Sequence, residues 1–315
     1  MMRTRMCNAL WASFCAREAQ RYHRACTLVR ATQKKLLLDT LKRNASTEFG
    51  RRHHFHAINS IDEYRERVPL AEWRDVSPWV DRIAEGRPGV LTRDPVSVLE
   101  PTGGSTSIRK LIPYNADLRR QFQRAIRVWL HDLFSKRPAL QQGRSYWSIS
   151  PLANRPEKTR GGIRIGFESD SAYLSSVEQV LLLATLAAPP SVGQCQSVEA
   201  AQLATMFHLL NAADLSLISV WSPTFLTRLL DFLATHAERL CDSLRDGQLY
   251  IPSHWGEAPR GVHASIRRSV KRADYVWACV RDYPTMPELI RALWPRLGIV
   301  SCWADGPSAY FANDL

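Results

Sequence analysis

The sequence contains no Cys-x-x-Cys pair, and its seven cysteines lie far apart along 315 residues. An odd number of widely spaced cysteines favours neither a zinc cage nor a disulfide framework, so we predict a reducing, cytoplasmic location. The longest apolar run, residues 180–190, is too short to span a bilayer. The N-terminal region lacks the continuous apolar core of a signal peptide, because Asn8, Arg17 and Glu18 interrupt it. We therefore expect a soluble protein with no membrane association.

Two common nucleotide-binding signatures are also absent. A Walker loop needs Gly-x-x-x-x-Gly-Lys-Ser/Thr and a dinucleotide-binding turn needs Gly-x-Gly-x-x-Gly, and neither pattern occurs. The sequence is nevertheless basic, with 42 lysines and arginines against 30 acidic residues. The resulting net charge of +12 favours polyanionic partners, and both nucleotides and nucleic acids qualify.

A short segment between two apolar runs has the composition of a phosphate-binding loop. Residues 95–99 are largely apolar, residues 102–106 are all glycine, serine or threonine, and Lys110 follows four residues later. A second apolar pair, residues 111–112, ends at Pro113, which cannot donate a hydrogen bond within a central ladder. We predict a strand, a loop and a second strand, because glycines let backbone amides approach an anion while hydroxyls and an ammonium add donors.

This hydroxyl- and glycine-rich loop followed by lysine resembles the loop of adenylate-forming enzymes. Ser107 departs from the many adenylate-forming loops that carry another glycine there. Further motifs are Thr47-Glu48-Phe49-Gly50, residues 61–69 (IDEYRERVP), Lys110-Leu111-Ile112-Pro113-Tyr114, Trp221-Ser222-Pro223-Thr224-Phe225, and Trp294-Pro295-Arg296-Leu297 with Cys302-Trp303. With these motifs, the sequence resembles the N-terminal portion of the Gretchen Hagen auxin-responsive promoter family of acyl acid–amido synthetases, over roughly residue 35 to the end.

The resemblance implies ATP-dependent activation of a carboxylic acid as acyl-AMP, followed by transfer to an amine or amino acid. Mg²⁺ would be carried by the nucleotide, so no metal site of the protein itself is expected, and the catalytic residues stay unknown. The implied fold is α/β, an incomplete adenylate-forming-type N-terminal domain with helices around a mostly parallel sheet. The residues expected to bind ATP are Thr102, Gly103, Gly104, Ser105, Thr106 and Lys110.

An acyl substrate needs a partly apolar pocket, and three aromatic residues are candidates for it. Trp129 lies on the helix predicted after the loop, and Trp221 and Phe225 lie at a predicted strand–helix junction. Each of the three also suits an ordinary core position. Trp303 follows a further predicted strand, at the edge where α/β sheets bind ligands.

Local patterns predict alternating strands and helices, which favours an α/β fold. We expect residues 1–45 to form a helical segment and residues 46–315 to form the front portion of an adenylation domain, with the C-terminal domain absent. Ser60 with Glu63, and Ser175 with Glu178, have the spacing of capping boxes that open helices. Further predicted elements are strands at 145–150, 215–220 and 298–303, a strand or hairpin at 160–167, and helices from 115, from 223 to about 240, and over 262–281.

Three histidines, at positions 53, 54 and 56, lie in a predicted turn over 48–56. No carboxylate or cysteine completes a recognisable metal-ligand spacing, which favours a solvated turn over a metal site.

Two alternatives to an amido synthetase stay open. The basic helix predicted over 262–281, together with ten tryptophans, would suit a nucleic-acid-binding protein, although no nucleic-acid module is recognisable and nucleic acid is not the favoured partner. A folded, non-catalytic remnant is the other alternative. Two motifs that the family carries downstream, one for adenine and magnesium and one for ribose, are not found here. We therefore expect activity to be impaired by truncation and restored by a complementing downstream polypeptide.

Overall fold

The computed structural model describes residues 2–102, 110–148, 157–167, 173–257, 259–263 and 267–315. The chain divides into two compact units. The larger unit comprises Met1–Phe14, Leu130–Asn154 and Ser169–Leu315, and the smaller unit comprises Cys15–Trp129 and Arg155–Glu168.

The described chain opens with five helices, after which short groups of strands and helices follow one another. The helices are α1 Met2–Thr27, α2 Val29–Asn44, α3 Glu48–Arg52, α4 Ile61–Arg67, α5 Trp73–Ala84, α6 Ala116–Lys136, α7 Ser176–Thr185, α8 Val198–Asn211, α9 Pro223–Asp246, α10 Val270–Asp282, α11 Met286–Leu293 and α12 Ser308–Ala312. The strands are β1 Val96–Thr102, β2 Lys110–Asn115, β3 Arg144–Trp147, β4 Glu157–Lys158, β5 Arg164–Ile165, β6 Leu215–Ser219 and β7 Ile299–Ser301.

The smaller unit contains a four-stranded sheet in the order β2-β1-β5-β4. Strand β1 pairs antiparallel with β2 and parallel with β5, and β4 and β5 form an antiparallel hairpin. Helix α5 packs against this sheet through Trp79, Val80 and Ile83, which cluster with Val90 and Leu99. Buried Leu99 lies on β1, so this core supports the strand that leads into the predicted loop.

The strand that contains Pro113 extends beyond this residue, at which the sequence predicts its end. Strand β2 continues through Pro113 to Asn115, because β2 is the edge strand of the sheet. An edge strand has one unpaired side, where the missing N–H of proline costs no ladder hydrogen bond.

The larger unit contains a three-stranded parallel sheet in the order β3-β6-β7. The central strand β6 is almost entirely buried, and helices α8 and α9 pack together in the same apolar core. Nearly every residue of α8 from Ala200 to Leu210 is buried, which is typical of a helix enclosed on all sides. The α/β class is confirmed; the strands of the larger unit are all parallel, whereas the sheet of the smaller unit is mixed.

Short-range signals in the sequence located several helix starts, those of α4, α6, α7 and α9. The Ser175–Glu178 capping box is present, with hydrogen bonds in both directions. Ser60 caps α4, although Glu63 Oε2 accepts from the N–H of Asn59 instead of from that of Ser60. The strands predicted at 145–150, 215–220 and 298–303 correspond to β3, β6 and β7, and residues 149–156 lie outside the described part. The strand or hairpin predicted at 160–167 contains β5, whose partner β4 lies just before it.

Two predicted segments differ from the structure. Residues 48–56 form helix α3 and the start of a 3-10 turn instead of a plain turn, because Thr47 Oγ1 caps the helix by accepting from Gly50 N. The basic helix predicted over 262–281 starts only at Val270, where Ser269 caps it, so Arg267 and Arg268 precede it. Within the described ranges, each helix is too short or too polar to cross a bilayer.

Candidate functional site

The β1–β2 hairpin brings the two described ends of the predicted phosphate loop together. Thr102 is the last residue of β1, Lys110 is the first residue of β2, and the two are paired across the ladder. Thr102 is exposed and Lys110 is half-buried. The other predicted ATP-binding residues, Gly103, Gly104, Ser105 and Thr106, lie outside the described residues.

Side chains further along the hairpin hold it against β5. Phe167 N donates to Glu100 Oε2 at 3.0 Å, and Gly166 N donates to the carbonyl oxygen of Leu99 at 2.9 Å. The rings of Tyr114 and Phe167 meet edge to face with centroids 5.1 Å apart. Burial, and then the negative charge of Glu100, raises the pKa of the Tyr114 hydroxyl, so Tyr114 stays neutral at physiological pH.

The loop between β4 and β5 approaches helix α5 closely enough to require glycine. Gly161 N donates to the carbonyl oxygen of Ala84 at 2.9 Å. A Cβ atom at Gly161 would lie 2.1 Å from Gly86 N and 2.3 Å from the carbonyl carbon of Glu85. Glycine at 161 therefore lets this hairpin dock on the end of α5 and reach β1.

The Thr47-Glu48-Phe49-Gly50 motif anchors the segment that leads into β1. Glu48 N and Phe49 N donate to the carbonyl oxygens of Gly89 and Val90, at 2.8 and 3.0 Å. A Cβ atom at Gly50 would lie 2.1 Å from the carbonyl oxygen of Asn44. The motif thus acts through packing and hydrogen bonding, a role that its sequence alone does not indicate.

A second candidate location is the carboxyl edge of the parallel sheet in the larger unit. Trp221 and Trp303 follow β6 and β7, with ring centroids 5.7 Å apart and an interplanar angle of 63°. Trp303 N donates to the carbonyl oxygen of Trp221 at 3.0 Å, which fixes the two backbones together. The side chains are 48% and 59% exposed, respectively. Two exposed aromatic rings at this edge lie where open α/β sheets bind ligands.

The three residues predicted to bind the acyl substrate fall at different places. Trp221 is one partner of the exposed pair, and Phe225, on the first turn of α9, is half-buried against the large apolar core. Trp129 is half-buried on α6, in the smaller unit. The sequence predicts that Trp303, the partner of Trp221, follows a strand at the ligand-binding edge of a sheet, but not that the two rings meet.

The basic segment near residue 270 has a structural role. Arg272 Nε and Nη2 donate to the carbonyl oxygens of Leu210 and Leu293, both at 2.7 Å. Those carbonyls belong to the last turns of α8 and α11, where a cation is favoured by the helix dipole. Burial lowers the pKa of Arg272. The guanidinium of Arg272 therefore joins two helix ends.

The histidines near residue 53 also have structural contacts. The His53 ring lies 4.4 Å from the Phe49 ring, and its Nδ1 lies 3.3 Å from the carbonyl oxygen of Arg67. Across the described ranges, no three histidine, cysteine, aspartate or glutamate side chains are grouped so as to hold a metal ion.

Comparison with known proteins agrees with these motifs. A family model described as the GH3 family N-terminal domain matches residues 18–315. Among curated proteins, the chain is 28% identical over 232 residues to the indole-3-acetic acid-amido synthetase GH3.15 of Arabidopsis thaliana, covering 71% of this chain and 38% of that relative. It is 26% identical over 325 residues to the indole-3-acetic acid-amido synthetase GH3.8 of Oryza sativa subsp. indica, covering 92% and 48%. The chain spans about half the length of the curated relatives it matches, or less.

Solved structures show the same fold. A GH3.15 acyl acid amido synthetase in complex with 2,4-DB superposes with a TM-score of 0.77 at 20% identity, covering 90% of this chain and 50% of that one. A second GH3.15 acyl acid amido synthetase gives 0.76 at 19% identity, covering 94% and 52%.

Proposed function

The chain belongs to the GH3 family, and from that membership we propose that it activates a carboxylic acid with ATP, as acyl-AMP, and passes the acyl group to an amine or amino acid. The observation that carries the proposal is the β1–β2 pairing, in which Lys110 stands opposite Thr102, and the sequence between them is rich in glycine and hydroxyl residues. The curated relatives are named as amido synthetases, and the acid in those names is indole-3-acetic acid.

The donor groups of the hairpin suit a triphosphate. Among the residues that the structure describes, the Lys110 ammonium has no hydrogen bond or ion pair, so its donors are available. Thr102 adds a hydroxyl at the same end of the sheet. ATP, with the Mg²⁺ it carries, would supply the leaving group that makes the carboxylate reactive. The role of the hairpin is to hold the phosphates and to stabilise the charge that builds on their oxygens.

The exposed Trp221–Trp303 pair is our candidate for the surface that contacts the acid. Two rings held by a backbone hydrogen bond provide apolar area at little entropic cost, because the strands already order them. An aromatic acid such as indole-3-acetic acid is therefore the first probe to test.

Isothermal titration with ATP and Mg²⁺ tests the nucleotide site. Lys110→Ala should weaken binding by about 1–3 kcal/mol, the usual scale for a hydrogen bond from a charged group. Lys158→Ala is the matched control, because it removes the same charge from the opposite edge strand β4 of the same sheet. An equal effect of both substitutions would attribute binding to general positive charge and would remove Lys110 from the site.

The hairpin would bind only the phosphate end of the nucleotide, so we expect low affinity for ATP and little turnover by the 315-residue polypeptide alone. Alignment of the acid with the α-phosphorus is worth several powers of ten in rate, and the hairpin does not provide it. Carboxylate-dependent exchange of pyrophosphate into ATP is the assay, and robust exchange by the purified chain would contradict this expectation.

All seven cysteines are free thiols, which supports the proposed reducing, cytoplasmic compartment.

A further inference from the structure

Residues of helices α1 and α6 line an arginine-rich cavity in the smaller unit, away from the β1–β2 hairpin. The cavity has a volume of about 460 Å³ and opens to solvent. That volume lies within the range of small-molecule sites. The charged side chains that line it are the arginines Arg21, Arg120, Arg124 and Arg127 and the carboxylates Glu18 and Asp117.

Glu18 fixes one side of the cavity. It is only 7% exposed, and its two carboxylate oxygens accept from Arg124 Nε at 2.6 Å and from Arg21 Nη1 at 3.4 Å. A buried carboxylate is stable only when it is paired and hydrogen-bonded. The two guanidinium groups are therefore held in place by a charge inside the protein.

Asp117 fixes the other side. Its oxygens accept from Arg120 Nη2 at 3.0 Å and from Gln121 Nε2 at 2.8 Å, and Arg43 forms a further ion pair with it. Burial alone would raise the pKa of this carboxyl, but the bonds from Gln121 and Arg120 and the charge of Arg43 lower it overall. Asp117 is thus ionised and holds its arginines at neutral pH.

The arginines exceed what these two carboxylates need. Even without Arg127, the three arginines Arg21, Arg120 and Arg124 leave a surplus of one positive charge over the two carboxylates that line the cavity. Arg21, Arg120 and Arg124 each use one N–H in their hydrogen bonds to Glu18 and Asp117, whereas a guanidinium has five N–H donors. The side chains of these three arginines are 54–61% exposed, so the remaining donors can reach a ligand.

The cavity is separate from the proposed nucleotide site. It lies at the first turns of α6, immediately after Asn115, whereas Lys110 begins β2. Five residue steps of extended strand separate Lys110 from Asn115, a distance of about 17 Å. A ligand in the cavity is therefore a second anion and not the triphosphate held by the hairpin.

We propose that this cavity is a binding site for a small oxyanion that carries two or more negative charges, either phosphoryl or carboxylate. The planar guanidinium fork binds both kinds of group in the same bidentate way. The two sources are distinguished by probes: tripolyphosphate for phosphoryl ligands and citrate for polycarboxylates.

The test is calorimetric titration of the full 315-residue chain with each probe at physiological salt. The variant is Arg21→Gln/Arg120→Gln. It keeps the hydrogen bond of Arg124 to Glu18 and the contacts of Arg43 and Gln121 with Asp117. The matched control is Arg24→Gln/Arg30→Gln, which removes the same charge from exposed positions of α1 and α2 outside the cavity. Melting curves confirm that each variant folds. If the double variant does not fold, the single Arg120→Gln variant replaces it.

We expect at least one probe to bind the wild-type chain, with affinity lower by about tenfold or more in the cavity variant and less than about twofold in the control. Lys110→Ala should leave the affinity for citrate unchanged. Because the hairpin is itself proposed to hold a triphosphate, tripolyphosphate is titrated in the Lys110→Ala background, where the loss caused by the cavity variant should persist. Selective loss for tripolyphosphate alone assigns a phosphoryl ligand, and selective loss for citrate alone assigns a polycarboxylate. The proposal is overturned if neither probe binds, or if the cavity and control variants lose affinity equally.

Discussion

The backbone N–H of Trp303 donates to the carbonyl oxygen of Trp221 at 3.0 Å, and the two rings lie 5.7 Å apart at the carboxyl edge of the parallel sheet. The residues are 82 positions apart in sequence, and they meet because β6 and β7 are adjacent parallel strands. The hydrogen bond joins backbone atoms, so either side chain can be changed without removing it.

The ring of Trp303 is expected to contribute to binding of an aromatic acid. Trp303→Ala should weaken binding several-fold, because an aromatic pair contributes about 0.5–1.5 kcal/mol, and Trp303→Phe should retain most of the affinity. Titration calorimetry with an aromatic acid measures the effect. Trp277→Ala serves as control, since Trp277 is also exposed but lies on α10. Unchanged affinity in Trp303→Ala would place the acid elsewhere.

Arg272 is expected to stabilise the larger unit through its two carbonyl contacts. Arg272→Met keeps an apolar stem of similar length but leaves the carbonyl oxygens of Leu210 and Leu293 without this donor. The free energy of unfolding should fall by about 2–4 kcal/mol, measured by urea denaturation. Arg267→Met, at an exposed position before α10, should cost less than about 0.5 kcal/mol. Equal stability of the two variants would mean that water replaces the guanidinium without cost.

His208 is expected to make the protein less stable at acidic pH. Its Nε2 lies 2.9 Å from the carbonyl oxygen of Val262, and burial, together with the charges of Arg144 and His263, lowers its pKa to about 4 despite that bond. An unfolded histidine titrates near 6.5, so between those values the unfolded state binds a proton that the folded state does not. Stability from this group is complete above about pH 6.5 and falls as the pH decreases towards 4.

Denaturation of His208→Gln at several pH values measures this contribution. Glutamine keeps a donor for Val262 and cannot titrate, so the wild-type chain should lose up to about 3 kcal/mol more than the variant between pH 7 and pH 4. His254→Gln, at an exposed position, should follow the wild-type pH profile. Parallel profiles for the wild-type chain and His208→Gln would disprove the assignment.

Gly161 is expected to tolerate no side chain. Gly161→Ala places a methyl group against the backbone of Glu85 and Gly86, which cannot move aside like a flexible side chain. The expected cost is about 1–3 kcal/mol or more, as for an overpacked core. Gly162→Asn is the control, because Gly162 has open space around it and asparagine is strained less than other side chains at its positive φ of 81°. Thermal melting of both variants should show the larger decrease for Gly161→Ala.

The sequence by itself determined the features whose causes lie within a few residues. The Ser175–Glu178 box, the start of α6 at Asn115, and the two strands that flank residues 103–109 follow from capping groups and apolar patterns, which act locally. The family motifs were equally visible, because they are fixed strings of residue types.

Only the tertiary structure decided which distant groups meet. The sequence predicts Arg272 on the surface of a basic helix, yet its guanidinium donates to the carbonyl oxygens of Leu210 and Leu293, 62 and 21 residues away. Glu18 and Arg124, which are 106 residues apart, come together only because α1 and α6 approach each other within the smaller unit. Such contacts depend on how complete elements pack, and no short window of sequence contains both partners. The pairing of Trp221 with Trp303 has the same origin: strand order in a parallel sheet is set by the crossover connections, not by the residues at the strand ends.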